Sequence, residues 1–427
     1  MARVGRERPR VFLGLANIAG FASGVAGGMA ACGVRATVVE MYPERYGYPG
    51  ERHFFTRCFG ALARLKGEGS PVVWRWLVEA LVRALGVVCF AWAAATHDVF
   101  IFSFRSSFCV VRSFADWRVL RLFGRRVVCM CHGGDVRPPY LDAVHPADSA
   151  QDIIRHTRRM ARACRAMERG ADAVICNPAF AHFFSRPVVN VFRVGIPAPA
   201  QTAAPPRRSA GGAPVLVHCP SSMAVKGSAE IARMVKELAA EGVSVDYREL
   251  SGVPHAEVLA ALAGADVAVD QLRSDTPMPG FATEAARYGV PCVVGGSVAE
   301  WIRRWTAHAA FALDNVVPPR AVKERLRVLL TDAEERRRTA HAAREFVDRH
   351  RRPQVVAERL LRVARGELPP QWYCAPQAAP VAGIGLSRRA VRQRIRAVVD
   401  AGGLSALCVR GPVLGRVLQT LSEDDHA

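Results

Sequence analysis

Residues 264–296 read GADVAVDQLRSDTPMPGFATEAARYGVPCVVGG. The run 265–270 is short, apolar and rich in β-branched Val, which suits a buried parallel strand. A Pro- and Gly-rich loop follows. Residues 281–288 then have helical spacing and stop at Gly289-Val290-Pro291, a helix-stop signal. Cys292-Val293-Val294 begins the next strand. The spacing predicts strand, loop, helix, strand, with Glu284 in the first turns of the helix. Ligands of open α/β sheets bind outside the carboxyl ends of the strands, so Glu284 stands where a ligand is expected.

The same alternation extends in both directions. Upstream in this half, residues 215–218 read as a strand and lead into Cys219-Pro220-Ser221-Ser222-Met223-Ala224-Val225-Lys226-Gly227-Ser228 and a helix over 229–240. A Lys-Gly-Ser at a helix start offers a cation, free N–H groups and the positive end of the dipole to an anion. It is no Walker A loop, because no G-x-x-x-x-G-K occurs. Residues 246–250 read as a strand, and His255 sits at the entry of a helix over 258–263. Segments 320–330, 333–350 and 353–365 are helical in period.

The first half opens with a strand over 11–16 (VFLGLA), then Asn17-Ile18-Ala19-Gly20 and a small-residue helix, then a strand over 34–40. Its glycines do not spell G-x-G-x-x-G, so they serve either a ligand or close helix–sheet packing. Residues 98–104 and 125–131 are further apolar strands. The second ends in His132-Gly133-Gly134-Asp135-Val136-Arg137, either a polar turn capped by Asp135 or a chemical site at a strand end. Residues 171–176 form another strand, and 191–197 (VFRVGIP) close this half. The Pro/Ala/Gly-rich segment 199–213 reads as a linker. The expected organisation is a domain over 1–198, the linker, a second domain over 214–365, and a basic extension over 366–427.

These residues resemble the retaining family-4 type of GT-B glycosyltransferase over about residues 10–365. The helix of that family, G-x-F-x-x-E-A-x-x-x-G-x-P, is matched by Phe281, Glu284, Ala285, Gly289 and Pro291. The family's P-S-x-x-x-x-K-G stretch is matched by Pro220, Ser221, Lys226 and Gly227, and H-G-x-D-x-R by residues 132–137. The usual second Glu would stand eight residues before Glu284, where this chain has Thr276; D-Q-L at Asp270–Leu272 resembles a branch that also lacks it. The resemblance implies two Rossmann-like domains facing across a cleft, and sugar transfer from a nucleotide-diphosphate sugar to an acceptor hydroxyl with retention. It implies that Lys226 and the N–H groups of Gly227 and Ser228 hold the diphosphate, with Gly20 opposite. Ser221, Ser222, Asp270 and Phe281 would complete the donor site. Glu284 would accept hydrogen bonds from the ribose, and His132 would bond the sugar. Asn17, Asp135, His255 and Thr276 are secondary candidates, with Asp135 orienting its turn. It further implies that the leaving phosphate takes the acceptor proton and that no metal or other cofactor is needed.

Composition sets the bounds. The 427 residues are 50% hydrophobic and 22% charged, with mean hydropathy +0.09, as in a globular chain. A net charge of +20 and a pI near 10.2 favour anionic partners. Aromatic residues are not interleaved with the Arg clusters, which argues against specific nucleic-acid binding. The 12 Cys include no C-x-x-C pair and keep apolar company (Cys89, Cys109, Cys176, Cys219, Cys292), so they read as core thiols in a reducing, cytoplasmic compartment. No Cys/His spacing supports zinc. Residues 11–34 imitate a signal peptide but break into a strand and a helix. The dozen apolar residues 84–95 are too short to span a bilayer and read as a core helix or an interfacial one. Arg388, Arg389, Arg392, Arg394 and Arg396 suit a membrane surface or a polyanion, or else a solvated face packed by Val391, Ile395 and Val398. The acceptor is open among a glycan, a lipid-linked sugar and a small molecule. The rival functions are a degenerate transferase that binds without turnover, a nucleic-acid-binding protein, and an oxidoreductase that the broken glycine pattern disfavours.

Overall fold

A computed structural model of the chain describes residues 9–41, 53–67, 69–108, 114–144, 149–198, 212–296, 315–409 and 411–422. The expected linker up to residue 211, Cys109 and the acidic end at Glu423-Asp424-Asp425 lie outside the described residues. The strands in chain order are β1 (Val11–Leu15), β2 (Ala36–Glu40), β3 (Val99–Ser103), β4 (Arg126–Met130), β5 (Ala173–Cys176), β6 (Val188–Asn190), β7 (Val215–His218), β8 (Asp246–Glu249), β9 (Val267–Val269), β10 (Cys292–Gly295), β11 (Val316–Val317) and β12 (Tyr373–Cys374). They form two sheets, ordered β12-β6-β5-β4-β3-β1-β2 and β11-β10-β9-β7-β8. All pairings are parallel except β12 with β6. The expected α/β class, with two parallel sheets, is what the chain adopts.

The chain divides into two compact units. The first comprises residues 1–136, 159–197 and 353–376; the second comprises 137–158, 198–352 and 377–427. These bounds differ from the expected linear division at three places, and each has a packing reason. The helix Pro353–Arg365 joins the first unit because Val356, Leu360 and Leu361 are buried in the same cluster as Leu13, Phe21 and Val25. Gly28 permits it: a Cβ there would stand 2.0 Å from the Pro353 carbonyl oxygen. Residues 137–158 join the second unit, where Arg137 is tied to Asp275. Within 377–427 the described residues pack on the second unit. Val391, Ile395 and Val398 of the helix Arg388–Gly402 are buried, Arg394 donates to the Asp142 carbonyl at 2.7 Å, and the Gly385 N–H donates to Arg273 O at 3.0 Å.

In the first unit, β1 lies between β2 and β3 and is wholly buried, as is β3. A strand covered on both faces has no use for alternation, which is why VFLGL and VFIFS read as unbroken apolar runs. In the second unit alternation assigns the faces. Val267, Val269 and Val293 enter one cluster with Ile231, Leu238 and Leu326; Ala268, Cys292 and Val294 enter the other with Ala285, Ala286 and Val347. The expected strands and helices of this half stand within a few residues of their predicted ends. In the first half, the closing segment 191–197 begins with one short helical turn, Val191–Val194, after β6.

The apolar residues 84–95 are the second half of a longer helix, Val72–Thr96. Over 18 residues its mean hydropathy is 1.8 and only 22% of that window is buried, so the core-helix expectation is corrected. The first half was hidden in the sequence by Arg75, Glu79 and Arg83, which break the apolar run without breaking the helix.

The eleven described cysteines are free thiols, and six of them, including Cys89, Cys129 and Cys292, are buried. Burial pushes the Cys89 thiol up to about 12, which leaves it a protonated core side chain.

Candidate functional site

In the second unit β7 ends at His218, and the chain turns through Cys219–Ser222 into one helical turn, Met223–Lys226. Gly227, at φ 74°, joins that turn to the helix Ser228–Ala240. Two constraints make this position a glycine: the left-handed backbone, and Leu272 Cβ, which would stand 3.0 Å from an added Cβ. Leu272 also donates its N–H to Lys226 O at 3.0 Å. The segment after β9 is thus laced to the Lys226–Gly227 turn.

Lys226 and Asp270 form an ion pair, with the Asp270 carboxylate almost wholly buried and Lys226 mostly so. The other Asp270 oxygen is buried without a hydrogen-bond partner among the described residues. The pair ties Lys226, two residues before the helix Ser228–Ala240, to the end of β9. Ser228 itself is fully buried, and its hydroxyl lies 2.8 Å from Nε2 of His218. Nδ1 of His218 lies 2.9 Å from the Val269 carbonyl, which only accepts. Nδ1 thus carries the proton, and Nε2 accepts from the Ser228 hydroxyl. Burial lowers the His218 pKa, consistent with this neutral ring. The Ser228 hydroxyl is thus spent on His218, and the residue is covered; the exposed position of this helix start is Ala229. The expectation that Gly227 also lends its N–H is corrected, because that group donates to Ala224 O at 3.3 Å. The N–H groups without an acceptor in the helix are those of its first turn, Ser228, Ala229 and Glu230. Ser221 and Ser222 are exposed beside them, and the Ser222 side chain makes no capping bond.

Glu284 lies in the helix Gly280–Arg287, and His255 opens the helix His255–Ala263. Their side chains meet, Nε2 to Oε1 at 2.8 Å, both mostly buried. His255, a secondary candidate, is thus the direct partner of Glu284. Phe281 packs against the cluster of Ala282, Ala285 and Ala286. Thr276 sits in a tight turn, its N–H donating to the Ser274 hydroxyl at 3.1 Å and its carbonyl accepting from it at 2.7 Å.

Sequence reasoning missed the acid next door. Asp275 is buried and accepts from Nε of Arg137 at 2.7 Å, while Nη1 of Arg137 reaches Asp142 at 3.2 Å. Burial works against this guanidinium, but the two carboxylates more than offset it and hold its pKa above the ordinary value. Burial raises the pKa of Asp275, and Arg137 opposes the rise. The only sequence signal was Arg137 at the end of the H-G-x-D-x-R match, with no partner nameable 138 residues away.

In the first unit, Gly20 (φ 72°) starts the helix Phe21–Ala31. Asn17 serves this turn: Oδ1 accepts from the Ala22 N–H at 2.9 Å, and Nδ2 donates to Ser23 at 2.9 Å and to Glu40 at 3.0 Å. The Phe21 ring meets the edge of His132 at 5.2 Å, so the Gly20 turn and His132, far apart in sequence, come together. Asp135 Oδ1 accepts from the N–H groups of His132 and Gly133 at 3.0 and 2.9 Å, which fixes the turn. His132 is half-buried as a residue, its Nε2 is buried without a partner among the described residues, and burial holds its pKa down to about 4. His132 is neutral at pH 7.

Among the described residues, no three His, Cys, Asp or Glu converge as a metal site. No family model matches the chain, and no curated protein does. Solved structures resemble it faintly. An O-GlcNAc transferase from Thermobaculum terrenum aligns with 87% of this chain and 69% of its own, at 14% identity and TM-score 0.48. An α,α-trehalose 6-phosphate synthase from Burkholderia multivorans aligns with 85% and 99%, at 12% identity and TM-score 0.47. HepE from Anabaena, solved with UDP and glucose, aligns with 83% and 99%, at 14% identity and TM-score 0.46.

Proposed function

We propose that the chain is a GT-B-type glycosyltransferase that moves a hexosyl group from a nucleotide-diphosphate sugar to an acceptor hydroxyl with retention, in the synthesis of a polysaccharide or glycoconjugate. The observation that carries this reading is the turn Lys226-Gly227-Ser228: a cation and a helix start, both at the carboxyl end of β7 in a parallel sheet. Such a turn suits a diphosphate whose charge grows as the sugar leaves. Lys226 would move from Asp270 to the leaving phosphate, and the N–H groups of Ala229 and Glu230 would take its oxygens.

Glu284, its other oxygen free of His255, suits two ribose hydroxyls. For His132 we propose a hydrogen bond to the sugar, supported by its unpartnered Nε2. Asp135 gives one oxygen to its own turn and holds the other buried without a partner among the described residues, which supports an orienting role, and we propose that the departing phosphate takes the acceptor proton. Positive charge from Lys226 and the helix start does the work a divalent ion would otherwise do, and we propose metal independence and a cytoplasmic setting.

A second reading is a degenerate protein of the same fold that binds a sugar nucleotide or a partner without turnover. It is favoured by Thr276 and by Asp275, whose carboxylate is turned to Arg137. Thermal shift in EDTA with UDP, GDP, ADP and their sugars tests the donor site. A ligand at 100 times its Kd adds about 2.7 kcal/mol. One nucleotide should stabilise the wild type but neither Lys226→Ala nor Glu284→Ala. Stabilisation by none overturns the donor site, and stabilisation without sugar release or transfer moves the conclusion to the degenerate protein.

A further inference from the structure

The helix Val72–Thr96 is bare along one side. Val73 and Trp76 are 72% and 68% exposed, and Leu77, Leu81, Val87 and Val88 are each more than half exposed. At 100° per residue these fall within one sector of the helix, which also holds Ala80, Ala84 and Ala91. No charged residue falls in it; Arg83 borders it, Glu79 stands further round, and Arg75 lies on the opposite side. The opposite side, Val78, Gly86, Cys89 and Ala93, is buried. Gly86 seats the helix against the chain, since a Cβ there would stand 2.5 Å from the Phe108 carbonyl oxygen, and Trp92 stacks on His53 at 4.8 Å.

A helix docked along one side has only the other side to offer lipid, so it suits lying on a bilayer, not crossing one. Its N-terminal end carries Trp74 and Trp76, and the Trp74 indole N–H donates to Leu65 O at 2.9 Å, tying it to the end of the helix Phe54–Arg64. Leu65 is exposed as well. Tryptophan pairs of this kind favour the headgroup level. On this helix and the segment just before it stand Arg57, Arg64, Lys66 and Arg83, with Glu79, the single described acid between 53 and 97, paired to Lys66 and Arg83. That rim chooses between occupants. A second copy would set the same cations against themselves, on a chain of net charge +20. An anionic bilayer meets them with opposite charge.

We infer that the face of Val72–Thr96 formed by Val73, Trp76, Leu77, Leu81 and Val88 docks this protein on an anionic phospholipid bilayer, the helix lying in the membrane plane with its cations at the headgroups. This surface is separate from the Arg388–Arg396 cluster, whose helix is packed by its apolar side into the second unit.

The test is flotation of the full-length protein with vesicles of phosphatidylcholine alone or with 30% phosphatidylglycerol, without nucleotide, so that the outcome is independent of the donor site. The expected result is flotation with the anionic vesicles, at least tenfold weaker on neutral ones and weakened by salt. Leu77→Glu/Leu81→Glu/Val88→Glu should lower it at least tenfold while far-UV circular dichroism and Tm stay as in the wild type. Arg57→Glu/Arg64→Glu should lower it on anionic vesicles and leave the thermal unfolding unchanged. Wild type left at the bottom of both gradients would overturn the inference, as would a triple variant that floats undiminished. Sedimentation of a dimer that the triple variant dissolves would assign the face to a second copy instead. Retention in membranes through alkaline carbonate would show a spanning helix, and would equally overturn it.

Discussion

His218 and Ser228 are joined by a 2.8 Å hydrogen bond beneath the turn that carries Lys226. The same imidazole holds the Val269 carbonyl at 2.9 Å, so one buried ring pins the helix start to the strand β9. His218→Ala would leave a buried hydroxyl and a buried carbonyl unpaired and open a cavity. A loss of about 3 kcal/mol is expected by denaturant unfolding. Ser228→Ala removes a hydroxyl that is spent on His218 and should leave nucleotide affinity within about threefold.

Arg137 is the common partner of two buried carboxylates, Asp275 and Asp142. Arg137→Ala would strand both, at a cost of about 3–5 kcal/mol. The pH dependence separates this from simple loss of packing. A carboxyl whose folded pKa is raised binds more protons folded than unfolded, so its stability contribution is lost as pH rises. With the opposing cation gone, the Arg137→Ala variant should therefore gain stability more steeply than the wild type as pH is lowered.

Gly28 faces the Pro353 carbonyl with no room for a methyl group. Gly28→Ala should cost about 1–3 kcal/mol by overpacking, although the same change in an open helix would stabilise. Gly27, which has nothing within 4 Å of an added Cβ, is the control. Gly27→Ala should be neutral or stabilising by up to about 1 kcal/mol in the same unfolding measurement.

His97 and His132 are both held down to about 4 by burial. Both rings are neutral when folded, whereas the unfolded chain titrates them near 6.5. Unfolded chains thus take up more protons between those values. The stability these rings provide is complete above about pH 6.5 and is lost as pH falls toward about 4. Each tenfold difference in proton affinity between folded and unfolded chain is worth about 1.4 kcal/mol. A fall of roughly 3 kcal/mol across that window is therefore expected from His97, and less from the partly exposed His132. Denaturant unfolding at pH 7, 5.5 and 4.5 checks it, with His97→Gln flattening the slope.

Much of this molecule was legible before folding was considered. The unbroken apolar strands, the Gly289-Val290-Pro291 stop and the Lys-Gly-Ser helix start are local signals, and local backbone preferences and side-chain period suffice to read them. So the parallel sheets and the positions of Lys226, Ser228 and Glu284 at strand ends and helix starts followed from the chain alone. The pairings did not. Lys226 with Asp270, His255 with Glu284 and Arg137 with Asp275 span from 29 to 138 residues, and no local pattern encodes which acid meets which base. The bare face of Val72–Thr96 was hidden for the same reason: whether an apolar helix is core or surface depends on what packs against it. The sequence by itself determined which segments are strands and helices, because each is decided within a few residues. Only the tertiary structure decided which charged groups neutralise one another and which apolar surface stays in contact with solvent, because burial and Coulomb energy depend on neighbours through space and not along the chain.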